Sequence, residues 1–304
     1  MKSLNFLLMV MLFISSQLLN AKVLNDSIPP GKNYEKAAFR LWYSDDIETI
    51  HGILVIVPGS NGDGRIQISD TIWQLFAQKH GLAILACYYK DYESSDSFIE
   101  RYVNVSQGSG QALLKVIRKF SRTSGHHELE NSPLLLWGAS AGGQFNYEFA
   151  CWCPEKVIGF IVNKGGIYYT ALAPKATRSV PGIFFIGEKD LEARNDIIKG
   201  LFSMNRRAGA LWIYAPEPGV AHEFVHSKIL ALIFFNEILS LRSSGDLQSD
   251  KKRTLVALKE SDGWIGDHKS QIILPASEIK KYDYPVSWFP GRITAEAWKI
   301  FISK

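Results

Sequence analysis

Cysteine is scarce in this chain of 304 residues, with only Cys87, Cys151 and Cys153. An odd count excludes a complete disulfide framework, because at least one thiol has no intramolecular partner. Cys151 and Cys153 lie two residues apart, a spacing that points them in different directions on a helix. No histidine follows nearby to complete a metal site. At least one of the three is therefore expected as a small buried hydrophobe, and a pairing of Cys87 depends on the fold. Net charge is also low, at +4 from 34 basic and 30 acidic residues. Bases and acids are interleaved, and the one dense basic run, Lys251-Lys252-Arg253, is short, so nucleic acid is not an expected partner. Internal repeats and low-complexity tracts are absent. No Gly-Lys-Ser/Thr follows a glycine-rich loop, which removes the phosphate-loop class.

The chain opens with Lys2, then an apolar stretch from Phe6 to Ile14, then polar Ser15-Ser16-Gln17 and a small residue at Ala21. That is the layout of a secretory signal peptide spanning residues 1–21. The apolar stretch is too short to cross a bilayer, and no cysteine follows it for lipid attachment. A secreted or periplasmic protein without a stable membrane anchor is the expectation.

Short apolar runs follow at Ile53–Val57, Leu82–Cys87, Leu134–Trp137, Val157–Val162, Ile183–Ile186 and Leu211–Tyr214. They read as strands buried on both faces, as in a parallel sheet. Between them, apolar residues recur at helical steps: Ile72, Leu75 and Phe76; Leu113, Val116, Ile117 and Phe120; Ile197, Ile198, Leu201 and Phe202. Residues 223–242 read as a last helix, and Phe39–Tyr43 as an early antiparallel strand. The alternation predicts an α/β fold, with one mostly parallel sheet and helices on both faces. The reading divides the chain into a main domain at 22–245 and a C-terminal extension at 246–304. The extension has a short helix over 294–301, with Ala297, Trp298 and Phe301 turned inward, and is expected to pack on the main domain.

One stretch carries chemistry. Gly138-Ala139-Ser140-Ala141-Gly142 sits between a strand and a helix. This is the context in which G-x-S-x-G forms a nucleophile elbow, with small residues where backbone crowds the serine. A serine hydroxyl needs a base held by an acid, here expected in the chain order serine, acid, histidine. Downstream histidines are His222, His226 and His268. His222, in Glu217-Pro-Gly-Val-Ala-His-Glu-Phe224, lies in the loop after the last strand and is the candidate base; His226 falls within the expected helix and His268 within the extension. The strand ending at Ile186 leads into Gly187-Glu-Lys-Asp-Leu-Glu192, where Asp190 is preferred over Glu188 and Glu192 as the acid. The oxyanion hole needs the Ala141 amide and a second from the loop Val57–Arg65, presented by Ser60 or Asn61.

Together, "VPGSNGDGR", "GASAGG", "FFIGEKD" and "GVAHEF" resemble the α/β-hydrolase superfamily over roughly residues 40–242. The likeness is to secreted bacterial esterases of the dienelactone-hydrolase, feruloyl-esterase and polyester-depolymerase type. It implies an α/β-hydrolase fold and ester cleavage through an acyl-serine. Ser140 would be nucleophile, His222 base and Asp190 acid, with the Ala141 and Ser60 amides binding the oxyanion and no metal or cofactor required. The early loop departs from the family in having Pro-Gly-Ser where His-Gly or a glycine run is more frequent. Expected substrates are small-molecule or polysaccharide-linked esters, such as acetyl or feruloyl groups. Asn61, Tyr88, Tyr89, Tyr168 and Tyr169 are candidates to line the pocket, as is Trp152, and Trp264, Trp288 and Trp298 to cover it. The competing readings are a prolyl-oligopeptidase-type peptidase and a non-catalytic binding protein of the same fold.

Overall fold

The computed structural model describes residues 20–93, 99–243, 254–279 and 285–303. The expected signal sequence, all but Asn20 and Ala21, and the Lys251–Arg253 run lie outside them. The strands of the main sheet are β1 (Ala21–Ile28), β2 (Lys36–Ser44), β3 (Gly52–Val57), β4 (Leu82–Lys90), β5 (Leu134–Gly138), β6 (Val157–Asn163), β7 (Gly182–Gly187) and β8 (Trp212–Glu217). They run in the order β1-β2-β4-β3-β5-β6-β7-β8. From β4 to β8 neighbouring strands are parallel, while β1 and β2 are antiparallel additions at one edge. Because β4 and β5 lie on opposite sides of β3, the sheet reverses its winding there. The loops leaving the carboxyl ends of β3 and β5 thus open a crevice of the kind that α/β sheets use for ligands.

Helices α1 (Thr71–Lys79), α2 (Ser109–Ser124), α3 (Ala141–Trp152), α4 (Lys175–Arg178), α5 (Glu192–Arg207), α6 (Ser227–Arg242) and α7 (Arg292–Ile302) complete the layers. One face of the sheet packs against α2, α3 and α5 through Leu113, Val116, Phe145, Phe149, Ile198 and Phe202. The other packs against α1, α6 and α7 through Trp73, Phe76, Phe234, Phe235, Trp298 and Phe301. Burial on both faces explains why β3, β5, β6 and β7 read as continuous apolar runs and not as alternating ones.

Several expectations change on folding. In α1 the inward stripe is Trp73, Phe76 and Ala77, whereas Ile72 and Leu75 are more than half exposed. The carboxylate of Asp70 caps the amides of Ile72 and Trp73, fixing where the helix starts and so its phase. Ile197 is likewise exposed, while Ile198 is buried. The last helix begins at Ser227, so His226 is its N-cap and not part of its first turn. Strand β1 is absent from the expected elements because none of its side chains is fully buried, which leaves only a weak pattern. Cys87 and Cys153 are buried and Cys151 is partly so. No helix among the described residues is long and apolar enough to cross a membrane.

The C-terminal segment contributes a small sheet, β10 (Ile273–Pro275), β9 (Trp264–Gly266) and β11 (Ser287–Phe289) in that order, too short to show in the sequence. It covers the exposed edge of β8. The Tyr214 amide donates to Ser287 Oγ at 2.9 Å, and the Trp298 indole donates to the Tyr214 carbonyl at 2.7 Å. A free strand edge is a template for aggregation, and these bonds close it. Arg206 of α5, fully buried, reaches the Val286 carbonyl and Glu260. Trp288 and Trp298 are consequently core residues and not a cover for a cleft. Truncating Trp298 to alanine removes a fully buried indole and reopens the β8 edge. Urea unfolding should register a loss of about 3–5 kcal/mol.

Candidate active site

The elbow at Ser140 is dictated by space. A Cβ on Gly138 would lie 2.2 Å from the Gly142 carbonyl oxygen, and one on Gly142 would lie 2.1 Å from that of Val57. Only glycine permits this approach of β3, β5 and α3. Ser140 itself has φ 51° and ψ −121°, a conformation that non-glycine residues rarely adopt. Such strain persists only where surroundings enforce it. Here the Ala139 amide donates to Val57 O at 3.3 Å and the Ser140 amide to Asn163 O at 2.7 Å, tying the turn to the ends of β3 and β6. Substitution of Gly142 by alanine should cost stability and displace the serine, read as loss of both melting temperature and Ser140 reactivity.

Ser140 Oγ lies 3.0 Å from His222 Nε2, and His222 Nδ1 lies 2.7 Å from Asp190 Oδ2. A carboxylate only accepts, so Asp190 places the imidazole proton on Nδ1 and leaves the Nε2 lone pair facing the serine. Asp190 is the residue that sequence reasoning preferred. Glu188, two residues earlier, instead faces the Gly219 amide at 3.4 Å, and Glu192 starts α5. Asp190 is held in turn: its amide donates to Gly187 O, its Oδ1 accepts from the Leu191 amide, and Arg194, one helical turn on, pairs with the same oxygen. Burial pushes the Asp190 carboxyl up. Its bonds from His222 and Leu191, together with the charges of His222 and Arg194, outweigh that and leave it below the usual carboxylate range.

A depressed folded-state pKa adds stability that is complete above the ordinary carboxylate value of about 4. It is lost as the pH falls through the lower folded value. The stability gap between the native chain and Asp190→Asn should therefore narrow between neutral and strongly acid pH, as followed by denaturant unfolding.

Arg194 also comes within 3.1 Å of His222 Nδ1. Sequence reasoning missed it, although its position four residues after Asp190 is the spacing of a helical pair. It missed equally the anchor under the histidine loop. At the end of β6, where an alternative acid could stand, Lys164 is wholly buried and pairs with Glu217 of β8 at 2.5 Å. The other oxygen of Glu217 accepts the His226 amide at 2.8 Å, and Asn163 Nδ2 donates to Ser227 Oγ at 2.7 Å. Phe224 sits over the Lys164 ammonium and edges the His222 ring. One dipeptide, Asn163-Lys164, thus supports both the elbow and the loop that carries His222. Lys164→Met strands a buried carboxylate and should cost about 3–5 kcal/mol, much of it recovered in Lys164→Met/Glu217→Met. Unfolding of the two variants against the native chain measures this.

Ala141 is the first residue of α3, so its amide has no acceptor within the helix. In the early loop, Gly59 abuts the serine: a Cβ there would lie 3.6 Å from Ser140 Cβ. The Asn61 amide donates to the Tyr102 hydroxyl at 3.2 Å, and Asn61 Oδ1 accepts the Asp91 amide at 2.7 Å. Asn61 is therefore engaged in shaping its loop, and its amide is taken up by Tyr102, while both Ser60 and Asn61 are exposed. The tyrosines part company as well. Successive residues of a strand face opposite ways, and Tyr89 is buried against Phe39 and Phe145 with its hydroxyl on Ser109 O. It cannot line a pocket. Tyr88 is clasped between Lys36 and Arg65. Tyr168 packs edge-on against Tyr147 with a buried hydroxyl, whereas Tyr169 is 47% exposed. Trp152 packs against Phe149 and the Gly110 position of α2. The segment 166–170 is fastened to α3 by Gln144 and Glu148, which accept the amides of Gly166, Tyr169 and Thr170. Among the described residues, no three His, Cys, Asp or Glu side chains are grouped to hold a metal.

Solved structures place this architecture. A ferulic acid esterase superposes with a TM-score of 0.52 at 15% identity, covering 69% of this chain and 95% of its own. A hyperthermophilic esterase from the archaeon Pyrobaculum calidifontis superposes with a TM-score of 0.50 at 14% identity, covering 72% and 85%. The fold is the α/β-hydrolase fold. No protein-family profile matches the chain, and no curated protein matches it in sequence. The loops after β5, β7 and β8 all leave the carboxyl edge of the sheet, and they bring Ser140, Asp190 and His222 together.

Proposed function

We propose that this protein is a serine hydrolase of carboxylic esters. The observation that carries the reading is the continuous hydrogen-bonded chain from Ser140 Oγ through His222 to Asp190, at 3.0 and 2.7 Å, on a strained elbow. In this reading Ser140 Oγ attacks the ester carbonyl carbon while His222 Nε2 takes its proton. The carbonyl electrons move onto oxygen, where the amides of Ala141 and Ser60 meet the developing charge; each such donor is typically worth about 3 kcal/mol. Collapse expels the alcohol, which receives the proton from His222, and leaves an acyl-serine. Water, deprotonated by His222, then releases the acid and restores the serine. Asp190 keeps its charge throughout and stabilises the imidazolium.

The esterases that share the fold support ester chemistry by analogy. Secretion after cleavage near Ala21 completes the proposal, with residues 22–245 as the catalytic domain and 246–304 as an extension packed on it. Tyr169, exposed on the segment that α3 fastens, is the tyrosine best placed to meet substrate, and acetyl or feruloyl esters of polysaccharide are the proposed class. A fluorophosphonate probe should label the native chain and fail on Ser140→Ala and His222→Ala. Asp190→Asn should lower kcat on p-nitrophenyl acetate by about 10⁴. Full ester hydrolysis by Ser140→Ala would exclude the mechanism.

A further inference from the structure

A concave site that shares no lining residue with the Ser140–His222–Asp190 group lies beside helix α2. It is a groove of about 710 Å³ between the loop Pro29–Tyr34 and helix α2. Its lining includes Lys32 from the loop and Lys115, Arg118, Lys119 and Arg122 from α2, and no carboxylate. The four helical cations are spaced three, one and three residues apart, so each lies three or four residues from two others and they form one stripe along a single face of α2. Arg118 pairs with Glu130 and Lys119 with Asp26. Among the described residues Lys115 and Arg122 meet no carboxylate, and Lys32 Nζ meets only the neutral Gln107. The groove therefore keeps a positive surplus despite the near-neutral chain. The sequence hid it, because the intervening residues of α2 belong to the core face.

The chemistry of the lining narrows the occupant. Gln107 and Gln111 place side-chain amides in the lining, groups that suit the hydroxyls of a sugar. Pro29, Pro30 and Gly31 offer flat C–H surface. Among the described residues, none of the large exposed hydrophobic side chains lies in the groove, which argues against a lipid surface. Its one aromatic residue, Tyr34, is 4% exposed and cannot stack on a base, which argues against single-stranded nucleic acid.

The groove is joined to the serine edge. Lys36 at the start of β2 pairs with Lys90 at the carboxyl end of β4, so the loop before β2 lies on the edge where Ser140 emerges. Tyr92 donates to Gly31 O, the Asp91 amide donates to Asn61, and Asn33 donates to the carbonyls of Arg101 and Asn104 and to Ser109. These bonds bind the groove to the loop beside the serine.

We propose that this groove binds an acidic polysaccharide, a chain of uronate-bearing sugars, with carboxylates on Lys32, Lys115 and Arg122. That such a chain would present its esters to Ser140 rests on the reading of that residue as nucleophile; the binding does not. The test is affinity electrophoresis of full-length Ser140→Ala in gels containing polygalacturonate, with neutral arabinoxylan as the comparison. Polygalacturonate should retard the protein at low ionic strength and release it at high salt, and arabinoxylan should not. Adding Lys115→Glu and Arg122→Glu, at exposed positions, should weaken binding about tenfold or more with an unchanged melting temperature. Equal retardation by arabinoxylan, or retardation that survives the charge reversals, would overturn the proposal. So would displacement of polygalacturonate by duplex DNA or by anionic vesicles at equal charge. A chain that binds polygalacturonate through this groove but shows no Ser140-dependent ester hydrolysis would remove the nucleophile reading alone.

Discussion

Everything at the site hangs on the hydrogen bond from the Ser140 amide to the Asn163 carbonyl. It joins a strained turn to the end of the neighbouring strand and so holds a serine in a backbone conformation it would not choose. The glycines at 138 and 142 make the approach sterically possible; this bond and its companion from Ala139 make it stable. The same residue reaches the other way with its side chain, to Ser227 at the start of α6. Serine turn and histidine loop are thereby referenced to one point on β6. Changes far from the serine, in the Lys164–Glu217 pair or at Ser227, act on the same geometry.

The electrostatics follow a similar economy. Lys164 and Glu217 are both fully buried, an arrangement that adds little net stability over an apolar pair but is sensitive to loss of either partner. Its effect is positional, since the second oxygen of Glu217 fixes the backbone at His226. Asp190 is ordered by four groups, the Leu191 amide, Arg194 and His222 on its carboxylate and the Gly187 carbonyl on its own amide, so its carboxylate is oriented before any substrate arrives. Preorganisation of this kind is what the proposed acyl transfer requires, because charge that develops in the transition state then meets dipoles already in place.

Around this centre the sheet solves two separate problems. Its faces are covered by helices, which fixes the apolar character of the inner strands. Its edges are closed differently: β1 lies antiparallel along one side, and the C-terminal segment bonds to Tyr214 on the other. The C-terminal tryptophans serve that closure and the core beneath α6. The early edge has a further consequence, since the loop joining β1 to β2 forms one wall of the basic groove on α2.

How much could be read in advance depended on how local the cause was. The inner strands announced themselves because burial on both faces demands unbroken apolar runs, and the Gly-x-Ser-x-Gly turn did so because steric crowding demands small residues in adjacent positions. The loops bearing Asp190 and His222 could be placed by their order after strand ends. The phase of α1 escaped because two stripes were nearly equal in apolar content, and the cap at Asp70 decided between them. Tyr88 and Tyr89 could not be told apart until the pairing of β4 fixed which face each took. Strands of three residues carry too little pattern to be seen. Arg194 against Asp190, Lys164 against Glu217, and the cations of α2 against Lys32 join residues that are polar and unremarkable in isolation. The sequence by itself determined the alternation of elements and the small-residue elbow, because these answer to near neighbours along the chain. Tertiary structure alone decided which charges meet and which stay unpaired, because that depends on distances in space that no spacing in the sequence encodes.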